Sequence, residues 1–311
     1  MIIFVSQNFF MDAVVDKLTF QKKIKMYMVF IKFRLSALII ISALSGYLFV
    51  GGNDGCILTC LLVGGLLVTG ASNGYNQIWE RDLDKLMQRT KKRPIPQGNM
   101  SIKEGYTVVV VCLLTGTALL YLINIYSALL GLFAFVFYVY IYTPLKRVTP
   151  LAVLVGAIPG AIPPMLGAIA FTGEFGLIPG ILFFVQFIWQ FPHFWAIAWV
   201  SHDDYKAGGF SLLPSKKGKS KNSAYQIALY SLILIPVSLS PWFLGLTGIY
   251  SFVALSIFGT VFFIYAFKLL LTIDDKDARK LMFASFIYLP VMQFAYVFDR
   301  VPEMILKLLS S

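Results

Sequence analysis

Nine apolar runs, each long enough to cross about 30 Å of hydrocarbon, leave this chain little choice of fold. They fall near residues 28–50, 57–79, 105–123, 125–143, 151–171, 177–200, 224–244, 248–271 and 281–298. Inside a bilayer every backbone N–H and C=O must find a partner within the protein, so runs of this length become helices. The fold class expected is therefore all-α and integral to the membrane. Composition agrees, since 58% of the 311 residues are hydrophobic and only 13% are charged. A soluble domain carries about twice that charged fraction. No polar stretch is long enough to wrap a separate soluble core.

The formal charge of +11 does not mark a nucleic-acid partner, because the charges sit between the apolar runs. There they orient the chain in the bilayer. With the N-terminus in the cytoplasm, all but Arg300 and Lys307 of the 26 lysines and arginines fall on inner loops or adjoining helix ends. Residues 1–27 then form a cytoplasmic N-terminal segment, 28–300 the transmembrane domain and 301–311 a short outer tail. In the first segment no small-residue cleavage site follows a short apolar core, so a clean signal-peptide pattern is lacking. Cys56, Cys60 and Cys112 read as small residues in apolar helices, not as a disulfide framework. Arg93-Pro94-Ile95-Pro96 cannot continue a helix. Ser101-x-x-Glu104 then reads as a capping box that opens the third span.

Chemistry concentrates on the inner side. Asn76, Glu80 and Asp84 recur at i, i+4 and i+8, which places three oxygen-bearing side chains within about 80° of one another on a helix. Hard oxygen donors of this kind suit Mg²⁺, which shares its shell with substrate phosphates. Asn76 and Glu80 lie at or above the interface, where uncompensated polarity is costly. Asp82 points to another face and balances nearby lysines. A second acidic end, Ser201-His202-Asp203-Asp204-Tyr205-Lys206, closes the sixth span and offers carboxylates to a second metal. Acids at a helix C-terminus oppose the helix dipole, and a bound cation would compensate them.

Arg89, Arg93, Lys146 and Arg147 supply the cations a departing diphosphate needs, whereas Lys91, Lys92 and the lysines of 216–221 read as topology. Lys32 and Arg34 begin the first span close enough to the interface to snorkel, and either is within reach of a substrate. His193 lies about 16 Å along its helix from Asp204. Iron ligation, proton transfer and a structural hydrogen bond at the Pro192 kink are all open to it. Gly156 to Gly167, with Pro159, Pro163 and Pro164, predict a bent fifth span closely approached by its neighbours.

These residues resemble the intramembrane, UbiA-type prenyltransferase superfamily over roughly residues 28–300. The superfamily signature matches Asn76, Glu80 and Asp84. The haem-directed branch, the protoheme IX farnesyltransferases, is matched by Asn76-Gln77, Glu80, Asp84, Met87, Arg89-Thr90 and Arg93-Pro94. Tyr142-Thr143-Pro144-Leu145-Lys146-Arg147, Gly160-Ala161-Ile162-Pro163-Pro164-x-x-Gly167 and Pro192-His193-Phe194-Trp195-Ala196 are further matches. The last is Asp204-Tyr205, followed by Gly208-Gly209 and Leu213-Pro214. Five separated motifs in order make chance agreement very improbable. The chain departs from the superfamily in its second acidic motif, where Gly208 stands four residues after Asp204.

The resemblance implies nine transmembrane helices bundled around a central cavity that opens toward lipid. It also implies Mg²⁺-dependent transfer of farnesyl from farnesyl diphosphate to a vinyl group of haem b, with water addition, at the cytoplasmic face of a bacterial inner membrane. In that reading Asn76, Glu80, Asp84 and Asp204 are catalytic, and they bind metal together with Asp203. Arg89, Arg93, Lys146 and Arg147 bind diphosphate, His193 and Arg34 approach the haem, and Tyr138, Tyr142 and Trp189 are candidates to stabilise an allylic cation. The product would pass to a downstream haem-modifying or oxidase-assembly protein. An aromatic quinone precursor is the alternative acceptor, and a transporter the alternative class of protein.

Overall fold

The computed structural model describes residues 20–309, and the described secondary structure is helical throughout, save one isolated bridge between Thr247 and Arg300. It begins with α1 (Phe20–Phe30) and α2 (Phe33–Phe49), followed by α3 (Gly55–Trp79) and the single turn α4 (Arg81–Asp84). Next come α5 (Ile102–Ile123), α6 (Ile125–Val136), a π-helical turn over Phe137–Tyr142, and α7 (Thr143–Leu145). The middle of the chain forms α8 (Ala152–Thr172), α9 (Leu177–Val200) and the short α10 (His202–Ala207). Then follow α11 (Lys221–Ser238), α12 (Ser240–Phe243), α13 (Ile249–Thr272), α14 (Asp275–Phe298) and α15 (Pro302–Leu309).

Eight helices are long and apolar enough to cross a membrane, and nine spans result when α1 and α2 count as one bent pair. The first span is thus not the uninterrupted helix expected over 28–50. Among the described residues it begins at Phe20 and turns by 54° at Ile31–Lys32. Residues 1–19 of the expected N-terminal segment lie outside the described residues, and residues 20–27 already belong to α1. The fourth span is helical from Ile125 to Leu145 but carries the π-helical turn near its end.

Two apolar cores divide the bundle. One gathers Phe30, Tyr47, Leu61, Ile78, Leu120 and Ile169 from the first five spans. The other gathers Phe191, Trp199, Ile227, Phe262 and Tyr288 from the last four. Glycine sets how closely helices cross where the two meet. A Cβ added at Gly167 would collide with the Ala43 carbonyl of α2, and one at Gly46 with the Pro164 carbonyl of α8. Pro164 has no N–H for the Gly160 carbonyl, and the Gln186 side chain of α9 donates to that oxygen at 2.9 Å. The expected close approach of this span is present, α8 runs as one continuous helix through its three prolines, and polar side chains repair the freed backbone.

Helix starts follow local rules. Asp54 accepts from the N–H groups of Cys56 (2.7 Å) and Ile57 (3.0 Å) to start α3. Ser101 Oγ accepts from the Glu104 N–H at 3.1 Å, half of the predicted capping box. The other half is replaced, because the Glu104 carboxylate accepts from the Tyr27 hydroxyl at 2.6 Å and so ties α5 to α1. The three cysteines are free.

Candidate active site

The acidic cluster forms because α3 does not run on as an ideal helix. It stops at Trp79, Glu80 takes φ −93° and ψ 9°, and α4 restarts the spiral for one turn. Asn76, Glu80 and Asp84 are 3%, 4% and 0% exposed, so each needs a partner inside the protein. Asn76 Nδ2 donates to Thr143 Oγ1 at 3.3 Å. That hydroxyl donates to the Tyr138 carbonyl at 2.9 Å, the same oxygen that takes the Thr143 N–H across the π-helical turn. The irregular turn in the fourth span therefore fixes the amide of Asn76 in the second.

Each acid of the motif has a basic partner. Lys146 Nζ lies 2.5 Å from Glu80 Oε1 and sits over the rings of Tyr142 (5.1 Å) and Phe210 (5.4 Å). Arg93 Nη1 donates to both oxygens of Asp84, at 2.8 and 2.7 Å. The Thr90 hydroxyl donates to the Asp84 carbonyl at 3.0 Å, folding the loop back over the turn. Burial pushes the Asp84 carboxyl above the ordinary carboxylate range, and the Arg93 guanidinium offsets that rise only in part.

The second acidic end reaches the first through the backbone. Both oxygens of Asp204 accept main-chain N–H groups, from Gln88 and Arg89, each at 3.1 Å. The Arg89 guanidinium lies 5.2 Å from the centre of the Tyr205 ring. Gly208 belongs to the same contact, since an added Cβ would stand 3.0 Å from Met87 Sδ. Asp203 is exposed and has no hydrogen-bond or ion-pair partner among the described residues, and Arg34 and Arg147 are likewise exposed. His193 lies apart, on the face of α9 against α14. Its Nδ1 is 2.7 Å from Ser285 Oγ, and its ring stacks on Trp189 with centroids 4.3 Å apart.

Thr143 and Ser285 carry weight that their residue types alone do not announce. Thr143 lies in a recognisable motif, but its bond to Asn76 needs a helical irregularity invisible to periodicity. Ser285 has no sequence signal at all. Lys32 is half-buried at the point where the first span bends.

The donor set suits a hard cation. Asn76 Oδ1 accepts no hydrogen bond from the described residues, and the buried Glu80 Oε1 has an ion-pair partner but no hydrogen bond. Among the described residues no three acidic, histidine or cysteine side chains converge on one point. Oxygen atoms from substrate would therefore have to complete any metal shell, as Mg²⁺ prefers.

Buried ion pairs at one end of an apolar helical bundle put charge-bearing groups next to a greasy interior. Residues 39–289 match the model of the UbiA prenyltransferase family. A protoheme IX farnesyltransferase of Cytophaga hutchinsonii is 45% identical over 274 residues, 87% of this chain and 96% of that protein. One from Christiangramia forsetii is 46% identical over 278 residues, 86% of this chain and 91% of its own. The fold resembles that of a digeranylgeranylglyceryl phosphate synthase with TM-score 0.75 at 20% identity, covering 89% of this chain and 98% of the other. It also resembles a UbiA homologue of Archaeoglobus fulgidus bound to GPP and Mg²⁺, with TM-score 0.59 at 14% identity over 88% and 99% of the two chains. The chain belongs to the UbiA prenyltransferase family, in its protoheme IX farnesyltransferase branch. It is an enzyme, a multi-pass membrane prenyltransferase.

Proposed function

We propose that this enzyme transfers the farnesyl group of farnesyl diphosphate to a vinyl group of haem b, with addition of water, giving haem O. The observation that carries this reading is the pair of buried contacts Glu80–Lys146 and Asp84–Arg93 at the end of α3. Buried charges are retained where they serve binding or chemistry, because desolvation makes them poor stabilisers otherwise.

Asn76, Glu80, Asp84 and Asp204 would hold Mg²⁺, which when bound would neutralise charge on the diphosphate and make it a better leaving group. Lys146 and Arg93 stand beside those acids and grip the diphosphate oxygens, with Arg89 and Arg147 at the rim. The bond between the first farnesyl carbon and the diphosphate oxygen breaks, and its electron pair leaves with the diphosphate. Tyr138 and Tyr142, whose rings are 5.2 Å apart, offer faces that favour positive charge on the allylic carbon. The vinyl π-pair forms the new carbon–carbon bond. Water then adds to the resulting cation and loses a proton, leaving a hydroxyl. His193, with Nδ1 engaged by Ser285, keeps its other ring nitrogen for the haem iron. The site faces the cytoplasm, as the distribution of lysine and arginine favours, and Mg²⁺-bound GPP in the Archaeoglobus relative supports the choice of metal.

Purified enzyme incubated with farnesyl diphosphate, Mg²⁺ and either haem b or an aromatic acid tests the proposal by mass spectrometry. Haem gaining the mass of a farnesyl group plus one water is the expected outcome. An aromatic acid that gains the chain while haem stays unmodified would replace this acceptor with a quinone precursor.

A further inference from the structure

α1 leaves the line of α2 by 54°, and the corner is held from outside. Lys32 takes φ 49° and ψ 50° there, a conformation that persists only where the surroundings fix it. Gln77 Nε2 of α3 donates to the Phe30 carbonyl at 2.5 Å and to that of Val29 at 3.4 Å. α2 does not need α1 in order to cross the bilayer. Its 17 residues rise about 26 Å, close to the thickness of the hydrocarbon layer. α1 is thereby left to run along the membrane surface, at the end of the bundle where Glu80 and Asp84 lie.

Three sides of α1 differ in character. One is docked, since Met26 and Tyr27 pack against the core that contains Phe30, and the Tyr27 hydroxyl donates to Glu104 at 2.6 Å. A second is apolar and uncovered. Phe20, Ile24 and Met28 are all exposed, recur at i, i+4 and i+8, and fall within about 80° of one another. The third is basic. Lys22 and Lys25 lie about 60° apart on the remaining side, with Val29 following them at the corner. Lys23, one turn before Tyr27, is exposed as well. None of the three lysines has a hydrogen-bond or ion-pair partner among the described residues.

A helix with an apolar stripe beside a basic one lies in the plane of a bilayer surface, its stripe in the acyl region and its lysines among the headgroups. Docking through Tyr27 and Gln77 fixes the rotation of α1, so both sides are presented at a set angle. Orientation of the chain needs only the number of lysines on a loop, not their placement opposite an apolar stripe. Unpaired ammonium groups held at headgroup level complement a phosphodiester that carries net negative charge, and gain little from a zwitterionic one.

We propose that α1 is an interfacial helix whose Lys22, Lys23 and Lys25 bind the headgroups of anionic phospholipids, the class that phosphatidylglycerol represents. The site is separate from the buried acids and does not depend on the identity of the prenyl acceptor.

The test titrates the full-length enzyme in neutral detergent with short-chain phosphatidylglycerol, and with phosphatidylcholine of the same chain length, by calorimetry. Wild type should prefer phosphatidylglycerol, and the preference should fall as salt is raised. Lys22→Gln, Lys23→Gln and Lys25→Gln should each lower phosphatidylglycerol affinity by about fivefold, and the triple variant by about a hundredfold, with phosphatidylcholine binding unchanged. The triple change to Arg should keep wild-type affinity, because the charge is kept. Lys216→Gln/Lys217→Gln/Lys221→Gln, in the loop between α10 and α11, serves as the control and should leave the affinity unaltered.

Equal phosphatidylglycerol affinity in wild type and the α1 triple variant overturns the assignment, as does a wild type that binds the two lipids equally well. An equal loss in the control triple also overturns it, since general surface charge would then account for the binding. If the α1 triple variant does not accumulate, a photo-crosslinking phosphatidylglycerol applied to wild-type enzyme decides by mass spectrometry. Adducts within residues 20–30 support the site, and adducts confined to other segments overturn it.

Discussion

Glu80 and Asp84 are buried acids whose cationic partners, Lys146 and Arg93, hold the departing diphosphate in the proposed reaction. Glu80→Gln and Asp84→Asn should each lower farnesyl transfer by about two orders of magnitude, while immunoblots of membranes show near-normal accumulation. Near-normal turnover in either variant would remove the metal and diphosphate assignment. The Glu80–Lys146 pair makes a sharper stability forecast. Lys146→Met strands a buried carboxylate, and breaking such a pair costs about 3–5 kcal/mol. The double variant Lys146→Met/Glu80→Gln removes both charges, so it should melt at a higher temperature in detergent than Lys146→Met alone. For His193, substitution by Ala should weaken haem binding in a spectroscopic titration, and Ser285→Ala should shift it in the same direction by a smaller step. Periodicity reveals the acids, because i, i+4 spacing in an apolar context is rare. It does not reveal that Glu80 would break the helix, that both Asp204 oxygens would hold the main chain of 88–89, or that Ser285 would bond His193. Those contacts join residues far apart in sequence, and no local pattern encodes them.

Helices are the most legible part of this chain, since the bilayer forces long apolar runs into one kind of structure. The spans expected from Ile57 onward agree with the observed helices to within a few residues, apart from the N-terminal end of α14, which starts at Asp275 instead of 281. Two irregular features escape such reading. The α1–α2 bend carries no proline or glycine, and it exists because α3 receives the freed carbonyls. The π-helical turn at Phe137–Tyr142 is likewise anchored from outside, through Thr143 and Asn76. The α2–α8 crossing is the reverse case, since its small residues announce a close approach beforehand. Gly167→Leu should force the two helices apart at Ala43 and destabilise the protein by about 1–3 kcal/mol or more. Thermal unfolding of the detergent-solubilised variant measures that cost, and a substitution on the lipid-exposed face of α8, such as Leu154→Ala, provides the control.

The bundle has two cores, and the charged end draws residues from both halves. Asp204 holds the loop that follows Asp84, and Gly208 rests on Met87, so the site is assembled from both halves. Asp204→Ala should therefore lower activity and also expose the 85–99 loop to protease, whereas Asp204→Asn, which keeps one acceptor oxygen, should protect that loop in part. Limited proteolysis followed by mass spectrometry distinguishes the two. At the far end of the bundle, Arg300 donates to the Leu48 carbonyl at the close of α2, and Val301 N–H bonds to the Leu246 carbonyl at 2.9 Å. The terminal segment thus adds a side-chain donor to a helix end that the N–H groups of Gly51 and Gly52 already close. A chain shortened after Phe298 would begin to fray near Phe49, some 250 residues from the cut and at the opposite extreme of the polypeptide.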